Sequence, residues 1–238
     1  MALTYFICST PRSGSSLLSE LMRQTGRLGN AQEYLNKDVQ LPRYARDWGL
    51  VKPGGQLDLG AYLRAVRSNS ATANGVCGVK AHYSQFAMFK TLTPVKALFE
   101  EARLIWIRRE DVVAQAVSFY LALATKQWSS LDPARAKAPD FDAAKIQERI
   151  DNLETQNAAW SALFRDTGRE PLTVSYEALL EDPEAIRTQL SSFLDLEIPV
   201  FPDLRTVALK QQATALNRDY VERFKRLQAE KKGLRGAA

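Results

Sequence analysis

Four short apolar runs punctuate the chain, at residues 3–8 (LTYFIC), 76–79 (VCGV), 104–107 (LIWI) and 172–175 (LTVS). Each is bounded by turn-forming or polar residues and is too short for a helix, which predicts four buried strands. Helical spacing fills the stretches between them. Leu17, Leu18, Leu21 and Met22 share one face, as do Val112, Ala116, Phe119, Tyr120 and Leu123. Ile146, Ile150, Leu153, Trp160 and Phe164 keep the spacing over a longer segment, and Ile186, Leu190, Phe193 and Leu194 follow Pro183, a residue suited to a first helical turn. Strands that alternate with helices imply βαβ units, hence an α/β fold with a central parallel sheet flanked by helices on both faces. Functional loops are then expected at the carboxyl ends of the strands. The 238 residues suit one domain, 1–238, with a breaker-rich loop or insertion at about 124–141 that reads as a mobile lid or a contact with a partner subunit.

Charge and composition narrow the function. Thirty-two Lys and Arg against 27 Asp and Glu give a net charge of +5, which favours an anionic partner without choosing its class. The aromatic residues follow core spacing and do not interleave with basic ones on one face, which argues against nucleic acid. The two cysteines, Cys8 and Cys77, fall inside apolar runs and read as small core hydrophobes. With a single histidine and no CxxC pair, a Cys/His zinc site is excluded, and no metal is expected. No 18-residue apolar stretch occurs and the first residues lack the pattern of a signal peptide, so a cytoplasmic protein without a transmembrane segment is expected.

Two strand-to-helix turns carry the chemistry. After the first strand comes STPRSGSS (residues 9–16). In such a turn the backbone N–H groups and a helix N-terminus converge on one spot, Gly14 permits close approach of an anion, and Ser13, Ser15 and Ser16 add hydroxyl donors. Arg12 adds a charge that is never given up. After the third strand comes RREDVVAQAVS, with Arg108 and Arg109 at the strand end and Ser118 two to three helical turns on. A second anion pocket at the same sheet edge suits a ligand with two separated phosphate-like groups.

This pair of motifs resembles the 5′- and 3′-phosphate sites of sulfotransferases that use 3′-phosphoadenosine 5′-phosphosulfate (PAPS). GVKAHYSQF (78–86), VSYEALLEDPEAI (174–186), KQQATALNRDYVERFKRL (210–227) and AQEYLN (31–36) extend the likeness over nearly the whole chain, most closely to the bacterial trehalose 2-sulfotransferase family. The resemblance implies a P-loop-like α/β fold and transfer of a sulfonate group from PAPS to a hydroxyl, plausibly of a carbohydrate or glycolipid precursor, with PAP as product and no metal. It also implies roles. Arg12, Ser13, Gly14, Ser15, Ser16 and Leu17 would hold the 5′-phosphosulfate, with Arg12 stabilising charge as the S–O bond breaks. Arg109 and Ser118 would bind the 3′-phosphate, with Arg108 as neighbour or substitute, because the arginine-to-serine spacing leaves the choice open. Tyr176 would lie near adenine, Lys210 and Gln211 would belong to a late segment closing over the nucleotide, and the protein would be a homodimer.

A hydroxyl acceptor needs a base. Glu33, in AQEYLN, matches the base of the trehalose family, and His82, in KAH, matches that of the wider class; Glu33 is preferred and Lys80 would face the sulfonate oxygens. The competing reading is a P-loop-type small-molecule kinase using ATP, but the turn lacks the P-loop lysine and no apolar strand clearly ends in a magnesium-binding aspartate. The acceptor pocket is expected from residues 30–48 and 124–141, where Tyr34, Tyr44, Trp48 and Trp128 could stack on a sugar.

Overall fold

The four apolar runs form one parallel sheet in the order β2-β1-β3-β4. The structure, a computed structural model, describes residues 3–129, 133–208 and 214–236, the last five of these without their side chains. The elements run β1 (Thr4–Ser9), α1 (Ser15–Gln24), α2 (Gln40–Asp47), α3 (Leu59–Ser70), β2 (Cys77–His82), α4 (Tyr83–Ala87), α5 (Thr93–Glu101), β3 (Arg103–Arg108), α6 (Val112–Thr125), α7 (Ala143–Asp166), β4 (Leu172–Ser175), α8 (Tyr176–Glu181), α9 (Pro183–Leu194) and α10 (Ala215–Gly236). Contacts group them into two compact units, Met1–Arg108 with Gln156–Val207, and Arg109–Thr155 with Ala208–Ala238.

In the first unit, alternate strand residues face opposite ways and both sets are buried. Phe6, Cys8, Val79, Ala81, Leu104 and Trp106 join Tyr62 and Val66 of α3, Val95, Leu98 and Phe99 of α5, and Trp160 and Phe164 of α7. Tyr5, Ile7, Ile105 and Ile107, of the other parity, are as inaccessible, and so are Leu18, Leu21 and Met22 of α1. The order places the switch in winding direction at the carboxyl end of β1, where open α/β sheets hold their ligands.

Three strands, β1, β2 and β3, run further than the apolar pattern predicts, β2 by the most. Parallel pairing of β1 with β2 continues through Ile7↔Lys80 to Ser9↔His82. A lysine and a histidine end a hydrophobic run, but backbone pairing does not read side chains, and Lys80 and His82 finish a buried strand on the same pleat as Ile7 and Ser9. Trp160 anchors this end of the sheet. Its ring stacks on Phe86 and Phe164, meets Tyr83 edge-on, and its Nε1–H donates to the Ser9 carbonyl at 2.9 Å. Trp160→Ala is expected to lower unfolding stability by about 3–5 kcal/mol, read from a denaturant titration.

The second unit is helical. Val113, Ala116, Val117 and Phe119 of α6 pack with Ile146, Ile150 and Leu153 of α7 and with Tyr220 and Phe224 of α10. The hydroxyl of Tyr120 donates to the Asp140 carbonyl and that of Tyr220 to the Pro139 carbonyl, both at 2.7 Å, and Phe141 meets Tyr220 edge-on. Residues 139–141, at the end of the segment 124–141, therefore pack on α6 and α10 of this unit.

Candidate active site

The turn after β1 has the backbone of an anion grip. Arg12 (φ +64°) and Gly14 (φ +91°) both take the left-handed conformation, and Ser13 N–H closes on the Thr10 carbonyl at 3.3 Å. No side chain caps the N-terminus of α1, so its first-turn donors, which include those of Ser16 and Leu17, keep their outward aim. Ser13 is fully buried, and its Oγ has no hydrogen-bond partner among the described residues. A buried donor left unmet in a tight loop marks a place for a polar ligand. Gly14 meets a second constraint: a Cβ there would lie 2.3 Å from Cδ2 of Tyr176. The ring of Tyr176, at the start of α8, thus packs on the loop itself.

Beside the loop lies a cluster built from β2 and from the strand-like segment after α1. Gln32 bridges Val79 in parallel, and Lys80 N–H donates to the Gln32 carbonyl at 3.0 Å. This brings Glu33 to the end of β2. Its Oε1 lies 3.4 Å from Lys80 Nζ and 3.6 Å from His82 Nε2. Its Oε2 accepts from Gln85 Nε2 at 2.8 Å and from Asn36 Nδ2 at 3.2 Å. Lys80, only 3 % exposed, also donates to Ser16 Oγ at 3.0 Å, so one ammonium group joins the loop to the carboxylate. Both candidate bases are therefore in one cluster. Gln85 and Asn36 were not singled out from sequence, although each follows its partner at a local hydrogen-bonding spacing: Gln85 three residues after His82, whose N–H it accepts at 3.0 Å, and Asn36 three after Glu33.

The charges follow from this packing. Burial opposes ionisation of Glu33, but His82 once protonated, Lys80 and the amides of Gln85 and Asn36 outweigh it and hold the carboxyl well below its usual range. Burial also pushes the His82 imidazole down, against the pull of Glu33 and with help from Lys80 and Arg12. At neutral pH Glu33 is ionised and the His82 imidazole is neutral. For both groups the unfolded chain binds more protons than the folded one, so stability rises with pH through each window. The contribution is complete above the ordinary 6.5 of histidine and is lost on acidification, first through His82 and then, below 4.5, through Glu33. Thermal denaturation should therefore show Tm falling as pH drops from about 6.5, and His82→Gln should delay that fall to lower pH.

Residues 4–227 match the family described as Stf0 sulphotransferase. The chain belongs to that family. It is 31% identical to the trehalose 2-sulfotransferase of Mycobacterium tuberculosis (strain ATCC 35801 / TMC 107 / Erdman) and 28% identical to that of Mycolicibacterium smegmatis (strain ATCC 700084 / mc(2)155), each alignment covering 97% of both chains. Among solved structures, the sulfotransferase domain from the curacin biosynthetic pathway superposes with a TM-score of 0.55 at 17% identity, covering 83% of this chain and 75% of that one, a likeness of fold. This sulfotransferase therefore has the P-loop-like α/β architecture, and its co-substrate is PAPS, with PAP as product. The kinase alternative is not favoured. The unmet Ser13 hydroxyl, the uncapped α1 N-terminus and the cations Arg12 and Lys80 fit an anionic phosphosulfate.

The remaining candidates are distributed as follows. In the first unit, Arg108 is exposed and its guanidinium stacks over Trp106 at 4.5 Å. In the second unit, Arg109 is partly buried and Ser118 is buried on α6; the Asp111 carboxyl caps α6 through the Ala114 N–H at 2.9 Å and, against the effect of burial, is held down by that bond, by Lys225 and last by Arg109. Lys210 and Gln211 lie outside the described residues. Tyr34 is core, its hydroxyl donating to the Asn30 carbonyl, and Tyr44 and Trp48 stack beside it at 4.9 Å; Trp128 is 46 % exposed. Among the described residues no helix is long and apolar enough to cross a membrane, and no group of three or more His, Cys, Asp or Glu side chains could hold a metal ion.

Proposed function

We propose that this sulfotransferase sulfonates a carbohydrate hydroxyl, with trehalose, the acceptor named for its two relatives, as the first candidate. The observation that carries the reading is the double engagement of Lys80, which holds Ser16 of the anion loop at 3.0 Å and Glu33 at 3.4 Å. A donor on the loop and a hydroxyl at the carboxylate would then share one ammonium group between them.

PAPS, when bound, supplies an electrophilic sulfur and PAP as leaving group. The chain's own residues do the rest. Ser13 Oγ and the N–H groups of Gly14, Ser15, Ser16 and Leu17 donate to the anion, and Arg12 holds a fixed positive charge where negative charge grows. Gln85 and Asn36 hold Oε2 of Glu33 and leave Oε1 for the hydroxyl proton. Tyr176 keeps the loop in shape through its packing on Gly14, a role added to the adenine contact that the family likeness implies. Of the two arginines, Arg109 is assigned the 3′-phosphate with Ser118, as the family likeness implies, with Arg108 as neighbour or substitute.

Calorimetry tests the donor assignment. PAP is expected to bind and Mg·ATP not, and Arg109→Ala should lower PAP affinity toward that of AMP, a loss of about tenfold or more for a charge-assisted contact. Binding of ATP with none of PAP would overturn the reading. The same reading makes the protein a cytoplasmic homodimer, in keeping with the free thiols of Cys8 and Cys77, which suit a reducing compartment. Light scattering that returned the mass of a single chain would refute the dimer.

A further inference from the structure

His82 is the chain's only histidine, and its two ring nitrogens have different neighbours. Nδ1 lies 2.9 Å from Ser9 Oγ, and the Ser9 hydroxyl lies 3.1 Å from the Ala81 carbonyl. A carbonyl oxygen only accepts, and a hydroxyl has one proton to give. When that proton goes to the Ala81 carbonyl, Ser9 Oγ becomes an acceptor, and Nδ1 must carry the ring hydrogen. The opposite tautomer forfeits the Ala81 bond and sets an Nε2–H 3.6 Å from Glu33 Oε1, beyond hydrogen-bond reach. The Nδ1–H form makes both Ser9 bonds, which favours it at rest. It turns the Nε2 lone pair toward the Glu33 carboxylate.

Two proton-accepting atoms then face each other across a distance that one added proton would close. We propose that Ser9 is a positioning residue: it fixes His82 as the Nδ1–H tautomer, so that His82 Nε2 and Glu33 Oε1 together act as one base. The proposal rests on the reading of Glu33 as the base at the acceptor. During transfer the acceptor's O–H bond breaks, and its oxygen lone pair forms the new O–S bond. The old S–O bond breaks with its electrons leaving on PAP. The released proton passes by way of Glu33 Oε1 to His82 Nε2 as the two atoms draw in from their resting 3.6 Å, and ends on an imidazolium paired with the carboxylate. Glu33 remains ionised because Gln85 and Asn36 donate to Oε2 and Lys80 stands at Oε1. The charged groups acting on the pair are Lys80 from β2 and Arg12 from the turn after β1; Gln85 from α4 and Ser9 from β1 are neutral.

Ser9 has the rigidity this role needs. Its side chain is fully buried, and its carbonyl is held by Trp160 Nε1. The test uses nitrogen-15 NMR of histidine-labelled full-length protein with no donor present, where one imidazole gives one pair of ring signals. Wild type is expected to carry its hydrogen on Nδ1 at neutral pH. Ser9→Ala should shift the population to Nε2–H and lower kcat about tenfold or more, with PAP affinity unchanged, whereas Ser9→Thr, which keeps the hydroxyl, should restore both readouts. An Nε2–H tautomer in wild type overturns the proposal even if Ser9→Ala fails to fold, and so does a folded Ser9→Ala with wild-type kcat. A Glu33→Gln variant with wild-type kcat instead overturns the reading of Glu33 as the base; the two failures are distinguishable because the tautomer is read without turnover.

Discussion

Glu33→Gln is expected to lower kcat by about 10²–10⁴-fold, the usual contribution of a positioned general base, while PAP still binds in calorimetry. Glutamine keeps the length and planarity of the side chain, so the contacts that orient it survive better than they would in alanine. It loses the proton-accepting charge. The loss should fall on kcat, because the base acts as the hydroxyl attacks and not when the donor docks. The variant has a second signature. Lys80 is almost wholly buried and pairs with Glu33 at 3.4 Å, so glutamine leaves a buried ammonium facing a neutral amide and Ser16 in place of a charged partner. Loss of one partner of a buried pair is strongly destabilising, and Tm should drop alongside kcat. A variant with wild-type kcat would eliminate Glu33 as the base.

Gly14→Ala should damage the donor loop by two independent routes. The position has φ +91°, where an L-residue is strained by about 1–3 kcal/mol, and the new Cβ would sit 2.3 Å from Cδ2 of Tyr176, an overlap of similar cost if the ring cannot move. Stability should fall, and PAP affinity should fall with it, because the N–H groups of the turn would no longer converge. Adding Tyr176→Ala separates the routes. The double variant is expected to recover the part of the loss due to the clash and retain the part due to the backbone, with the difference measured as a double-mutant cycle in a denaturant titration.

These two sites also show what could be read from sequence. The turn at 9–16 was legible because its residues act locally: glycine where the backbone turns left-handed, serines at a helix start, an arginine with a permanent charge. Lys80 and His82 were legible as a motif, but not as the end of β2, since strand length here is set by pairing with β1 while the apolar pattern stops at Val79. The contacts that decide the chemistry cross long stretches of chain. Lys80 reaches Ser16 across 64 residues, Gln85 reaches Glu33 across 52, and Ser9 meets His82 across 73. No spacing rule brings such pairs together; the parallel register of β1 and β2 does. The aromatic residues that suggested a sugar platform had the same ambiguity. Tyr34 lies in the core and Tyr44 and Trp48 pack against it, where large rings gain more from burial than from exposure.

Joint action of the loop and the Glu33 cluster on a sugar hydroxyl, as proposed, predicts one product. Mass spectrometry of wild-type protein incubated with PAPS and a panel of sugars headed by trehalose tests it most directly. The expected result is a singly sulfonated sugar formed in step with PAP, with product from the Glu33→Gln variant reduced by the factor given above. PAP released by wild type with no sulfonated sugar of any kind, or equal product from the variant, would contradict it.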